Sequence, residues 1–73
     1  MAEQADELKK LITIATDLEL SADLRTNATK QIGKIGSHDA LRALLDLVAN
    51  EKLSKSEREL AIKNARDIIR STR

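Results

Sequence analysis

LRTNATKQIGKIGSHDALRALLDLV, Leu24 to Val48, decides how this chain is read. It joins a Leu-Arg pair, an alanine, two glycines and an apolar helical pattern without a break. Leu24, Ala28, Ile32 and Ile35 recur at helical spacing, so the first half is expected to be a helix with those residues turned inward. Gly36 can take the left-handed backbone that ends such a helix, and Ser37 can cap the next one. In that next helix Leu41, Leu44, Leu45 and Val48 are expected to face the core. It should run out near Asn50, a residue type that tolerates positive φ.

Working outward, Leu8, Leu11, Ile12 and Ala15 predict an earlier helix from about Glu3 to Thr16, and Ser21 is the N-cap expected for the helix that begins the quoted stretch. On the far side, Ser54 and Glu57 form an S-x-x-E capping box that opens a last helix carrying Ala61, Ile62, Ala65, Ile68 and Ile69 inward. No proline interrupts the chain, and sustained strand alternation is absent.

The quoted stretch also spans the join between two copies of one pattern. Sliding the chain by 33 pairs Asp6 with Asp39, Leu8 with Leu41, Leu11 with Leu44 and Leu20 with Leu53. The same offset pairs Ser21 with Ser54, Arg25 with Arg58, Ala28 with Ala61, Lys30 with Lys63 and Ile35 with Ile68. Matches at both capping and inward positions indicate duplicated helix-turn-helix units, about 3–36 and 37–71, within a single domain over 1–73. A 33-residue period suits ankyrin and nearly suits the tetratricopeptide repeat. The chain has no Pro, Trp or Tyr, which those patterns require.

Leu24-Arg25, Ala28, Ile32-Gly33 and Ile35-Gly36, followed by Ala40-Leu41, Leu44 and Leu47, resemble the HEAT-like repeat of the phycobilisome-lyase type. The second helix of that repeat reads roughly V-R-x-x-A-x-x-x-L-G-x-I-G. The resemblance covers almost the whole chain. The second copy keeps Arg58 and Ala61 but carries Arg66 and Ile69 where glycines would stand. The resemblance implies an all-α, four-helix fragment of a right-handed solenoid. It also implies Asp17 as a partner of Arg25. Its further implication is an accessory subunit of a lyase-type modifying enzyme.

Several roles can be assigned from physical chemistry without the family. Gly33, facing another helix, lets backbones approach, and Gly36 supplies the turn. Arg25 and Arg58 can lay their stems on apolar neighbours while their heads bond carbonyls or an acid, so both are expected to be structural.

Composition narrows the rest. A domain of 73 residues holds a core worth only ~3–5 kcal/mol without staples. Cys is absent, so disulfides and thiolate metal sites are excluded, and an intracellular setting is expected. Aromatic residues are absent as well, which removes the stacking used on single-stranded nucleic acid. The start MAEQADE lacks a basic n-region and an apolar h-region, and no apolar run approaches membrane length, so a cytoplasmic protein without membrane contact is expected.

Catalytic material is thin. Ser37, His38 and Asp39 have triad residue types, but neighbours at a helix start fan out by ~100° each and cannot converge. Ser37 reads instead as a cap and Asp39 as a first-turn acid. His38 is the single histidine, and GKIGS lacks the phosphate-loop spacing. No enzyme activity, cofactor or metal is expected.

Two surfaces merit attention. Lys63, Arg66, Arg70 and Arg73 lie along one stripe of the last helix, and Lys30 and Lys34 occupy the matching side of the second. Together they would form a basic patch for an anionic partner, against the alternative of charges that merely suit helix C-termini. Net charge is only +1, well short of a dedicated nucleic-acid domain. Ile14, Leu47 and Leu60 fall outside the tightest inward stripes. They either seal the four-helix unit or provide a surface for a homodimer. The functional expectation is a protein-interaction module or scaffold that presents a rigid helical face. The second reading is nucleic-acid contact through Lys30, Lys34, Lys63, Arg66 and Arg70.

Overall fold

A computed structural model describes the backbone of residues 2–71 and the side chains of residues 6–71. Four helices form, α1 (Ala2–Thr16), α2 (Ala22–Ile35), α3 (His38–Val48) and α4 (Lys55–Ser71), with no strand among the described residues. The starts of α2, α3 and α4 and the end of α2 have local causes. Ser21 Oγ accepts from the Leu24 amide at 3.3 Å, and Ser37 Oγ accepts from the Ala40 amide at 3.1 Å. Each bond satisfies a donor that the first helical turn would otherwise leave open. Gly36 ends α2 at φ 67°, the single positive φ among the described residues. At Ser54 the capping box closes from both sides: Ser54 Oγ accepts from the Glu57 amide at 3.2 Å, and Glu57 Oε1 accepts from the Ser54 amide at 3.3 Å.

The 33-residue offset reappears in the backbone. Asp17 N–H donates to Ile14 C=O and Leu20 N–H to Asp17 C=O; Asn50 N–H donates to Leu47 C=O and Leu53 N–H to Asn50 C=O. The Asp17 side chain accepts from the Glu19 amide at 3.0 Å, and the Asn50 side chain accepts from the Lys52 amide at 3.0 Å. Asp and Asn are interchangeable here because each offers one oxygen to the amide two residues on. Asn50 therefore serves through its side chain and has no positive φ, contrary to the sequence expectation.

α1 packs on α2 and α3 on α4, while α2 also touches α3 and α4, and α1 touches α3. These contacts set two helical hairpins side by side around one core. Leu8 is buried in it, and Leu41, its partner in the offset, packs against it. Ile32, Leu44 and Leu47 are its largest fully enclosed side chains. Among the described residues, half of the buried apolar ones are alanines, at 15, 28, 40, 43, 61 and 65. These small side chains let the helices lie close and leave little apolar area per residue to stabilise the fold.

The buried faces are rotated from those expected. On α3 the enclosed residues are Ala40, Ala43, Leu44 and Leu47, and Leu45 is 51% exposed. Alanines at 40 and 43 permit the closest approach, so that side turns inward and Leu45 turns out. Leu47, for which the sequence left open sealing the four-helix unit or a self-association surface, is a core residue. On α4 the inward line is Glu57, Ala61, Ala65 and Ile68, leaving Ile69 half exposed. Leu24, in the first turn of α2, is also half exposed.

Candidate functional site

α2 and α4 pack against one another, and Gly33 of α2 stands against Asn64 of α4. A Cβ on Gly33 would stand 2.7 Å from Asn64 Oδ1 and 3.1 Å from Asn64 Cβ, so any larger residue here must displace the Asn64 side chain. Asn64 is held in place by its own bond, Nδ2 donating to the Leu60 carbonyl at 2.9 Å. Beside this contact lies an open groove of about 370 Å³ lined by Lys30, Gly33, Lys34, Leu60, Lys63, Asn64 and Asp67. Lys30 and Lys34 are one turn apart on α2, and Lys63 faces them from α4. All three are exposed.

The structure thus brings together three of the six residues expected to form a basic patch. Arg66 lines a neighbouring hollow with Glu59, Ile62 and Lys63, so Lys63 belongs to both. Arg70 is exposed in the last turn of α4, where a cation complements the helix dipole. Arg73 lies outside the described residues. Three ammonium groups against the single carboxylate of Asp67 give the α2/α4 groove a positive balance. The hollow between α1 and α3, by contrast, sets Lys9 and Arg42 against Asp39 and Asp46, and its charges cancel. Of these two grooves, the α2/α4 one alone has an electrostatic preference among its lining residues.

The residues expected to be structural sit as follows. Arg25 lies between the hairpins: Nε donates to Glu57 Oε2 at 2.8 Å, Nη2 to Glu57 Oε1 at 3.1 Å and Nη1 to the Leu20 carbonyl at 2.6 Å. Asp17, the partner implied by the resemblance, is a minor one, and the carboxylate that takes Arg25 is that of Glu57. Asp17 accepts a hydrogen bond from Arg25 through its backbone carbonyl at 3.5 Å and adds a charge attraction, while its Oδ1 accepts from the Glu19 amide. Glu57 is held well below the usual carboxylate range, at about 2. The Arg25 bond is the main cause, burial opposes it, and the bonds to Ser54 assist. The Ser54 hydroxyl donates to the same Oε1 at 2.9 Å, so Glu57 caps α4 and ties α4 to α2 at once. Sequence reasoning found the cap and missed the tie. The available signal was that Glu57 stands opposite Leu24 in the offset, an acid where the first copy has none.

Arg58 differs from Arg25. Its Nε is buried and has no hydrogen-bond partner. Ile14 packs half-buried against the core, and Leu60 is half-buried at the edge of the groove. With Leu47 enclosed, the three do not form a shared apolar surface. Among the described residues the exposed large apolar ones are Leu18, Leu24, Leu45 and Ile69, of which Leu24, Leu45 and Ile69 were expected to face inward.

Ser37, His38 and Asp39 do what the bland reading requires. Ser37 caps α3, and His38 and Asp39 are exposed. Among the described residues no group of three His, Asp or Glu side chains could hold a metal ion, and no helix is long and apolar enough to cross a membrane. No protein-family model matches the chain, and comparison with curated proteins and with solved structures returns no match.

Proposed function

We propose that this chain is a non-enzymatic protein-interaction module, a pair of HEAT-like hairpins in right-handed solenoid arrangement, working in the cytoplasm. Its binding face is the α2/α4 groove, and its partner is an acidic protein segment. The observation that carries the reading is the convergence of Lys30, Lys34 and Lys63 from two helices onto one groove that Leu60 and Gly33 also line. Three cations supply attraction and steering, and the half-buried apolar floor gives a segment with an interspersed leucine something to cover. The helices are held by packing and caps before any partner arrives, so little scaffold entropy is lost on binding.

The test is fluorescence anisotropy with a glutamate-rich, leucine-containing peptide against wild type and the Lys30→Gln/Lys34→Gln/Lys63→Gln variant. Loss of at least tenfold in affinity is expected, and equal binding by the two proteins defeats the reading. A short DNA duplex in parallel separates the second reading, contact with a nucleic-acid backbone through the same lysines. Duplex binding would outrank peptide binding and fall steeply with salt, because each neutralised phosphate releases counterions.

A further inference from the structure

Two contacts fix how Lys30, Lys34 and Lys63 are placed along the α2/α4 groove. Arg25 of α2 meets Glu57 of α4, and further on Gly33 of α2 stands against Asn64 of α4. Residue numbers rise along both helices from the first contact to the second, so α2 and α4 run in the same direction. At a helical rise of ~1.5 Å per residue, Lys30 lies ~4.5 Å before the level of Gly33 and Asn64, Lys34 ~1.5 Å after it and Lys63 ~1.5 Å before it. Lys63 therefore stands on α4 opposite the midpoint between Lys30 and Lys34. The three stems start from the corners of a triangle and line one groove. On the same scale Leu60 lies ~6 Å before that level and Asp67 ~4.5 Å after it. The triangle thus has an apolar side chain at one end and a carboxylate at the other.

Nothing within the chain answers these charges. Among the described residues Arg25 and Glu57 form the ion pair, and the ammonium groups of Lys30, Lys34 and Lys63 bond to no side chain or carbonyl. Lys30 and Lys34, one turn apart on the same face, repel each other. Asn64 adds no donor, because its Nδ2 is engaged by the Leu60 carbonyl. The residue type is informative too. Where this chain grips a carboxylate it uses the planar fork of Arg25, with two bonds to Glu57. The groove instead has point charges and no fork, and Arg66 lines the neighbouring hollow. Three ammonium groups at the corners of a triangle suit a tetrahedral anion, and a phosphate monoester supplies three acceptor oxygens and about −1.5 to −2 charges at one point. One carboxylate brings a single charge and leaves the triangle partly unanswered.

We infer that the groove holds a phosphorylated residue: Lys30, Lys34 and Lys63 take the phosphate of a phosphoserine or phosphothreonine in a segment of another protein. That segment sets an apolar residue against Leu60 and a residue other than an acid against Asp67. The inference rests on the groove being the face for an acidic segment, and it names the acid. A nucleic-acid backbone fits less well, since it continues its charge in both directions and would lay the next phosphate against Asp67.

The test is fluorescence anisotropy with one peptide in two forms. A central serine, phosphorylated or replaced by glutamate, has a leucine two residues to one side and a lysine two residues to the other. At ~3.3 Å per extended residue this spacing reaches from Lys63 to Leu60 and to Asp67. Both sequence orders are made, because the groove sets the neighbours and not the chain direction. The glutamate-rich, leucine-containing peptide and a short DNA duplex are run beside them, and circular dichroism confirms that each variant folds. In the better order the phosphorylated form should bind wild type at least tenfold more tightly than the glutamate form. Lys63→Gln should remove most of that ratio. If the phosphorylated form binds no more tightly than the glutamate form, while the glutamate-rich peptide still depends on the three lysines, this inference falls and the acidic-segment reading stands. If neither the phosphorylated nor the glutamate-rich peptide loses affinity in Lys30→Gln/Lys34→Gln/Lys63→Gln, both fall. A duplex that binds more tightly than the phosphopeptide and displaces it overturns the inference in favour of nucleic-acid contact.

Discussion

Arg25 and Glu57 join the two hairpins through a two-point clasp, Nε to Oε2 at 2.8 Å and Nη2 to Oε1 at 3.1 Å. The pair is 32 residues apart in sequence, and both side chains are largely enclosed, at 13% and 7% exposure. The same carboxylate also caps α4, so one group fixes a helix terminus and a helix-helix contact together. Neutralising it loosens both.

Stability is accordingly expected to depend on acid pH through Glu57. Its carboxyl is lowered from 4.5 to about 2 in the folded chain. A folded value below the unfolded one means that the unfolded state binds the proton first. The contribution is complete above about pH 4.5 and is lost as pH falls from there toward 2. Thermal melts across this range should show wild type losing stability faster than Glu57→Gln. At pH 7 the variant should be weaker by ~1–2 kcal/mol, since it gives up a charge-assisted bond screened by a partly exposed guanidinium. Parallel pH profiles for the two proteins would count against this assignment.

Gly33→Ala should destabilise although it replaces a helix-interior glycine, a change that ordinarily gains up to ~1 kcal/mol. The new methyl would stand 3.0 Å from Asn64 Cγ and 3.1 Å from its Cβ. Because Asn64 is bonded to Leu60 it does not swing aside without loss. A net cost of ~1–3 kcal/mol is expected from the overpacking. Asn64→Ala in the same chain removes the contacts with Oδ1 and Cγ and keeps the one with Cβ, so the double variant should recover part of the loss and be more stable than Gly33→Ala alone in urea melts. Additive effects would show that the contact is not the cause.

Gly36→Ala poses a different problem, because a Cβ there meets nothing nearer than the Lys34 carbonyl at 3.9 Å. Its cost is the left-handed backbone alone, ~1–2 kcal/mol for a residue with a side chain. Asn is more tolerant of that conformation, so Gly36→Asn should recover part of the loss in denaturant melts. Equal melting of the Ala and Asn variants would assign the effect elsewhere.

What the sequence made legible follows a physical division. The caps at Ser21, Ser37 and Ser54, the box to Glu57 and the turn at Gly36 are local features, readable from a few neighbouring residues, and the structure has them all. Which residues share a core required one more step. The offset paired Leu8 with Leu41 correctly, yet the face of α3 was set one residue off because the leucines were given more weight than Ala40 and Ala43. Small residues mark the closest approach as surely as large ones mark burial. The Arg25 partner was beyond local reading, since it depends on how one hairpin leans on the other. The groove was half legible: Lys30, Lys34 and Lys63 meet, whereas Arg66 is turned into the next hollow by its place on α4.

That one-residue rotation of α3 yields the sharpest test of the core. Leu44 and Leu45 are neighbours of the same size, but Leu44 is fully buried and Leu45 is 51% exposed. Leu44→Ala removes side-chain atoms from the centre of the packing and leaves a cavity, a change that costs ~2–5 kcal/mol. Against the ~3–5 kcal/mol that a core of this size supplies, the variant should be largely unfolded at 25 °C by circular dichroism. Leu45→Ala removes the same atoms from a half-wet position, and alanine is the better helix former, so its effect should stay within about ±0.5 kcal/mol. If the two variants melt alike, the inward face of α3 is centred between them and the rotation described for Leu47 and Leu45 is wrong.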